Sequence, residues 1–456
     1  MSDAADTAGP PRTGPDLNGP DLTSLAKALQ DAGVGIEAAA LDRLLAGVAA
    51  SPVAEVPEAW IALLGGDLDQ ELGAWAARAV RAKVGPGGLA AGRTASADRI
   101  ADLRAELDRR GLDGFVVPRA DAHQLEAPPP RAQRLTWLTG FTGSAGVAVV
   151  LRRSAAIFVD GRYTLQVESE VDTDAIAPRH LSDAPPEDFI ADQLAGGTLG
   201  YDPWLHSLDG VKRLQGAVER AGGWLQPVDG NPVDAVWPDQ PPAPLTPVRL
   251  HDLAYAGETA ADKRAGVART LTDAGQGAAV LSLPDSICWL LNVRGRDVLH
   301  TPLVLSFAVV HADGRVDWYV DPRKVVAEVC DDLDEAVSLH APELFPQALD
   351  ALAASDRPVR VDGATAPAAV AQRIEAAGGR VARDDDPCQL PKARKNAVEL
   401  EGARNAHVRD GAAVTRFLCW LQTRAPERAE RGEPVTEIEA AEALAAFRRA
   451  DPLFRD

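Results

Sequence analysis

The residues best placed to touch a ligand are Asp160-Gly161-Arg162, which close an apolar run from Ala155 to Val159. A planar guanidinium with five donors suits a peptide carbonyl or a carboxylate. An aspartate beside a glycine at the end of a buried strand, held at a sheet edge, would fix such a group in place. The competing reading of Arg162 is an ion pair with a nearby acid, Asp160 or Glu168, that touches no ligand. Just upstream, WLTGFTGSAG at residues 137–146 spaces Gly140, Gly143 and Gly146 by three. That spacing suggests a phosphate cradle, but phosphate loops open a helix, and here the apolar run Val147 to Leu151 follows. No Gly-Lys-Ser/Thr is present, and Gly143-Ser144-Ala145-Gly146 lacks the G-x-S-x-G spacing of a hydrolase nucleophile. A tight turn that shapes a wall remains.

Metal chemistry finds little support. The eight histidines, His123, His180, His206, His251, His300, His311, His340 and His407, are scattered without an H-E-x-x-H. His407 and Asp410 share a helix face, which reads as a solvated pair. Asp384-Asp385-Asp386 precedes Pro387 and reads as a charged turn. The residues alone thus indicate ligand contact at Arg162, with no catalytic residue and no metal ligand assigned.

The chain has 456 residues and a formal net charge of −20, from 47 basic and 67 acidic side chains. Such an acidic surface argues against nucleic acid or an anionic membrane as partner. Cys288, Cys330, Cys388 and Cys419 are far apart, so neither a disulfide framework nor a zinc knuckle is expected. The N-terminus lacks a basic-then-apolar leader, and no apolar run approaches a membrane span. A cytoplasmic protein is expected.

The elements that must position Arg162 follow from hydrophobic periodicity. Two β-branched runs split by Arg152-Arg153-Ser154 predict a hairpin. Residues 1–22, rich in Gly, Pro and Asp, read as a disordered leader. Residues 23–95 read as a helical appendage, ending in a linker at Gly85-Pro86-Gly87-Gly88. From Ala97 an α/β alternation begins: Ile100, Leu103 and Leu107 mark a helix face, Arg110-Gly111 stops it, and Gly114 to Val117 is a buried strand. The pattern returns. Asp98 and Asp262, Gly111 and Gly275, and Asp121 and Asp285 are each 164 positions apart. Trp137-Leu138 answers Trp289-Leu290 at 152, and Val159-Asp160 answers Val320-Asp321 at 161. A tandem duplication of an α/β domain is predicted, over 96–230 and 231–390, with an insertion in the first copy. A proline-rich stretch at 231–247 reads as a stiff, ordered connection. The second copy lacks the glycine cluster and carries Asn292-Val293-Arg294-Gly295-Arg296-Asp297-Val298 instead. Residues 391–456 add a helix from Asn396 to Thr423 and another from Ile438 to Arg449. Thr436 and Glu439 form a capping box for the second. This reads as the incomplete start of a third domain, its apolar helix faces left exposed.

As a set, these stretches resemble the aminopeptidase P family, in its long three-domain branch. The matching stretches are Asp121-Ala122-His123-Gln124, WLTGFTGSAG, Val159-Asp160-Gly161-Arg162-Tyr163 and Gly200-Tyr201-Asp202-Pro203-Trp204. Further on they are Asn231-Pro232-Val233-Asp234 with Trp237, Asn292 to Gly295 with Asp297-Val298, and His300-Thr301-Pro302. Leu390-Pro391-Lys392-Ala393 with Lys395-Asn396, and Ala406 to Gly411, complete them. The resemblance runs from about Ser96 to Asp456. It implies two creatinase-N-like α/β domains followed by the start of a pita-bread α+β domain. It also implies a metallopeptidase that releases an N-terminal residue preceding proline, a homodimer when complete, with two Mn²⁺ ions. The five ligands belong to segments beyond the Phe-x-Asp matched by Phe454-Arg455-Asp456. The chain is therefore expected to be the non-catalytic N-terminal part, truncated before the ligands, binding no metal and inactive alone. The one residue carried over is Arg162, as a contact to X-Pro- peptides. The alternative is a non-catalytic peptide- or protein-binding module, or a pseudoenzyme.

Overall fold

The computed structural model describes residues 87–455. The expected leader and the appendage up to residue 86 lie outside the described residues. The first helix, Gly87–Arg109, starts ten positions before the predicted Ala97 and takes in the two glycines assigned to the linker. Leu89-Ala90-Ala91 are strong helix formers, and a nucleated helix extends cooperatively through residues that would not start one.

Six strands form the first sheet: β1 (Gly114–Pro118), β2 (Gly146–Leu151), β3 (Ala155–Val159), β4 (Ala177–His180), β5 (Thr198–Tyr201) and β6 (Trp224–Pro227), in the order β4-β3-β2-β1-β5-β6. The predicted hairpin is β2/β3, antiparallel, with the Leu151 amide donating to the Ser154 carbonyl at 2.8 Å. Neighbouring residues of a strand face opposite sides, so a run that is apolar throughout needs cover on both. Phe115, Ala148, Val150 and Ile157 meet Ile100, Leu103, Leu107 and Phe141 on one side. Val116, Val149 and Phe158 meet Phe189, Ile190 and Leu214 on the other.

The short antiparallel pair β7 (Arg249–Leu250) and β9 (Val293–Arg294) flanks a second sheet. Its strands are β8 (Ala278–Leu281), β10 (Phe307–His311), β11 (Val316–Tyr319), β12 (Val337–His340), β13 (Val359–Val361) and β14 (Val381–Arg383). The order is β12-β11-β10-β8-β13-β14. Each strand has its counterpart in the first sheet, at the same place and with the same direction of pairing. The loop from Arg119 to Gln133, with a short 3₁₀ turn at Pro130–Ala132, is the extra length of the first copy.

The two copies meet through equivalent segments. Ser207 bridges Pro367, and the numbers differ by 160. The Asp209 amide donates to the Gly363 carbonyl at 3.1 Å, and the Ala369 amide to the Pro203 carbonyl at 2.9 Å. Adding 160 to one member of each pair yields the partner in the other bond, so the two bonds exchange under an internal twofold axis. The copies associate as an isologous dimer does, within one chain. Trp204, Leu208 and Val211 of the first copy join the core of the second around Phe345 and Val361.

The long helix that follows runs Ala397–Glu430, past the predicted end at Thr423 and through Pro426. Glu427 pairs with Arg424 on the helix and with Arg431 at its C-cap, which supports the turn that the proline weakens. Helix Glu437–Arg449 packs back on it. Ala413 is the one buried residue of the pair, and Val408, Leu418 and Ile438 are exposed.

Candidate functional site

The glycine cluster is built around Phe141. Gly140 ends the helix Arg134–Thr139 in the left-handed region, at φ +82°, which turns the chain so that Phe141 enters the core. A Cβ on Gly143 would come within 2.2 Å of the Phe141 ring, and one on Gly146 within 3.1 Å. Gly143 and Gly146 therefore make room for the Phe141 ring within the turn. Phe141 meets Tyr163 edge-on, with centroids 5.6 Å apart. The Tyr163 hydroxyl and the Ser144 hydroxyl are 2.7 Å apart, and this bond draws the phenol pKa down. Glu170 accepts from the Thr142 amide at 2.8 Å and from its hydroxyl at 2.7 Å, which pins the rest of the turn.

Arg162 stands on this base. Asp160 accepts from the Arg162 amide at 3.0 Å, from Nε at 3.1 Å and from Nη2 at 2.6 Å. The guanidinium carbon lies 5.0 Å from the centroid of the Tyr163 ring. Hydrogen bonding to Arg162 lowers the Asp160 pKa, and the same bond raises that of Arg162. The ion pair weighed from sequence is therefore present, with Asp160 as partner. The arginine side chain remains 60% exposed, so the pair orients it without covering it. One expectation changes: β3 is not an edge strand, because β4 lies outside it. Arg162 owes its place to the chain leaving the strand end.

Most other motif residues prove to be joints. Asp121 caps the His123 and Leu125 amides, and His123 Nδ1 lies 3.0 Å from the Ser282 carbonyl of the second copy. Asn231 caps the helix Pro232–Val236 and donates to the buried Asp202 at 2.8 Å; burial raises the pKa of that acid. Arg134 and Asp234 form a two-bond fork at 2.7 Å, and Trp137 stacks on Trp237 at 5.2 Å. Asp297 and Lys324 pair at 2.7 Å in the core of the second copy. Lys392 pairs with Asp285, and Asn396 and Glu399 form a capping box.

Sequence reading missed Arg323. Asp321-Pro322-Arg323 repeats the Asp160–Arg162 fork, with the same 2.6 Å closest approach. The signal was the 161-residue spacing already seen at Val320-Asp321. Arg323 lines a cleft of about 670 Å³ between the copies, with His123, Arg131, Trp204 and Glu343. The Tyr163–Ser144 bond had no sequence signal.

The candidates set aside for metals stay apart. Asp410 pairs with Arg448 at 2.6 Å, while His407 bonds the Ala403 carbonyl of its own helix. Asp384 accepts from Gln276, and Asp386 is buried and caps the Cys388 amide at 2.8 Å, with its pKa raised by burial. Among the described residues no group of three His, Cys, Asp or Glu could hold a metal ion. The described residues therefore do not fit the two-metal centre implied by the resemblance. No described helix is long and apolar enough to cross a membrane.

The fold defines the class: residues 99–234 and 239–399 each match a family model for the creatinase/prolidase N-terminal domain. The chain belongs to the aminopeptidase P family. It is 34% identical over 379 residues to Aminopeptidase P2 of Arabidopsis thaliana, covering 76% of this chain and 53% of that protein. It is 36% identical over 366 residues to a probable Xaa-Pro aminopeptidase P of Sordaria macrospora, covering 77% and 59%. An X-prolyl aminopeptidase from Caenorhabditis elegans, described as a cytosolic enzyme with a di-nuclear active site, superposes with a TM-score of 0.73 at 27% identity. That match covers 79% of this chain and 60% of the other. The chain thus spans between half and two thirds of the length of these relatives.

Proposed function

We propose that this chain is the substrate-facing, non-catalytic part of an Xaa-Pro aminopeptidase. Arg162 binds a backbone carbonyl or carboxylate of a peptide whose second residue is proline. The observation that carries the reading is the exposed guanidinium, steered by Asp160 and laid over Tyr163 at the end of β3. An exposed fork of donors held in one orientation loses little entropy when it meets a carbonyl or carboxylate. The hydrolysis itself would use two Mn²⁺ ions held by segments outside the described residues, and this chain alone neither binds them stoichiometrically nor cleaves. The whole protein would be a cytoplasmic homodimer.

Calorimetric titration with an X-Pro peptide tests the Arg162 reading. Arg162→Ala should weaken binding about tenfold or more, as loss of a charge-assisted bond does. Equal affinity of the two proteins would remove Arg162 from the site. Mn²⁺-dependent release of the N-terminal residue by the chain alone would overturn the non-catalytic part of the proposal.

A further inference from the structure

Two buried histidines of the first copy sit at the seam between the copies. His123 reaches across from the loop after β1, bonded to the Ser282 carbonyl and stacked on Phe307 with centroids 4.5 Å apart. His206 follows β5, and its carbonyl accepts the Ala368 amide at 2.7 Å. The His206 ring lies edge-on to Tyr201 at 5.9 Å, and the Tyr201 hydroxyl accepts from Gln372 of the second copy at 2.8 Å. The ring bonds the backbone of Val116, while its Nε2 is buried with no partner. The internal twofold puts Ala366 at the place of His206, so the fold does not itself demand an imidazole there.

We infer that His123 and His206 form a proton-operated latch: neutral, they hold the seam shut, and protonated, they part the two copies while each sheet stays folded. A proton added at Nε2 of His206 would make a buried donor with no acceptor. Arg213 on the following helix is the charged group that acts on that ring, and it also opposes a positive charge. His123 faces Asp121 on its own loop and the Asp297–Lys324 pair of the second copy. The acids favour its charge, Lys324 opposes it, and burial outweighs both.

The sign follows from linkage. Burial pushes His206 down to about 4 and lowers His123 as well, while an exposed imidazole titrates near 6.5. The closed seam is therefore fully favoured above about pH 6.5. As pH falls below that, each histidine multiplies the open population about tenfold per unit, until its own folded pKa is reached. Opening would separate Trp204 from Phe307 and Phe345 and widen the cleft lined by Arg323.

Hydrogen exchange at pH 7.5, 6 and 5, corrected for intrinsic rates, tests this on the whole chain. The amides of Asp209, Ala368 and Ala369 should lose protection about tenfold or more per unit, while those of β2 and β10 keep theirs. His206→Asn combined with His123→Gln should flatten the pH response. Three results would overturn the latch: unchanged seam protection at pH 5, loss at the seam and in the sheets together, or an unchanged pH response in the double variant. If that variant does not fold, proton NMR titration of the wild-type imidazoles decides. A His206 midpoint at or above 6.5 refutes the inference, and one well below supports it.

Discussion

Asp160 and Arg162 make a fork that recurs at Asp321 and Arg323, and each aspartate also caps the amide of its arginine at 3.0 Å. An acid that binds both ends of an arginine two residues on sets the side-chain direction from the backbone itself. Asp160→Asn should therefore weaken X-Pro peptide binding in calorimetry while leaving the thermal unfolding midpoint nearly unchanged. Gly143→Ala tests the base beneath Arg162. Its Cβ would meet the fully buried Phe141 ring, which cannot swing away, so a loss of about 1–3 kcal/mol is expected in urea unfolding. The Asp297–Lys324 pair is of another kind, with side chains 0% and 5% exposed. Asp297 also accepts from the Thr246 hydroxyl at 2.6 Å and the Leu305 amide at 2.8 Å. Removing the acid strands a buried ammonium, so Asp297→Ala should cost about 3–5 kcal/mol by the same measurement.

At the scale of elements, the sheets and the last two helices differ in what holds them. Every strand near the middle of a sheet is covered on both faces. The helix Ala397–Glu430 depends on its start instead. The Asn396 side chain accepts from the Glu399 amide, the Asn396 amide donates back to the Glu399 carboxylate, and Asn396 Nδ2 donates to the Ala256 carbonyl at 2.8 Å. Asn396→Ala should lower the stability of this segment by about 1 kcal/mol, read from exchange of its first-turn amides. With Val408 72% and Leu418 51% exposed, little tertiary packing protects the rest. Brief trypsin digestion should therefore cut at arginines between 404 and 431 well before any site within the two sheets.

The whole molecule is a duplication folded onto itself. Two copies of one topology share a seam whose hydrogen bonds exchange under an internal twofold, so each copy contributes the same loop and helix start. The copies have since diverged at the seam, with His206 opposite Ala366, and at the wall, where the glycines around Phe141 serve the first copy alone. Periodic apolar spacing, helix stops at glycine and the repeated order of strand, tryptophan and aspartate are local properties of the chain. They determined by themselves the α/β class, the tandem repeat and the β2/β3 hairpin. Where helices begin and end was less legible, since Gly87 and Pro426 sit inside helices that their neighbours sustain. The ring that the glycines surround and the mating of the copies were decided by tertiary structure. Ser144 meets Tyr163 across 19 residues, and Ser207 meets Pro367 across 160. Such contacts form only when packed layers bring distant segments together, and residue spacing carries no trace of them.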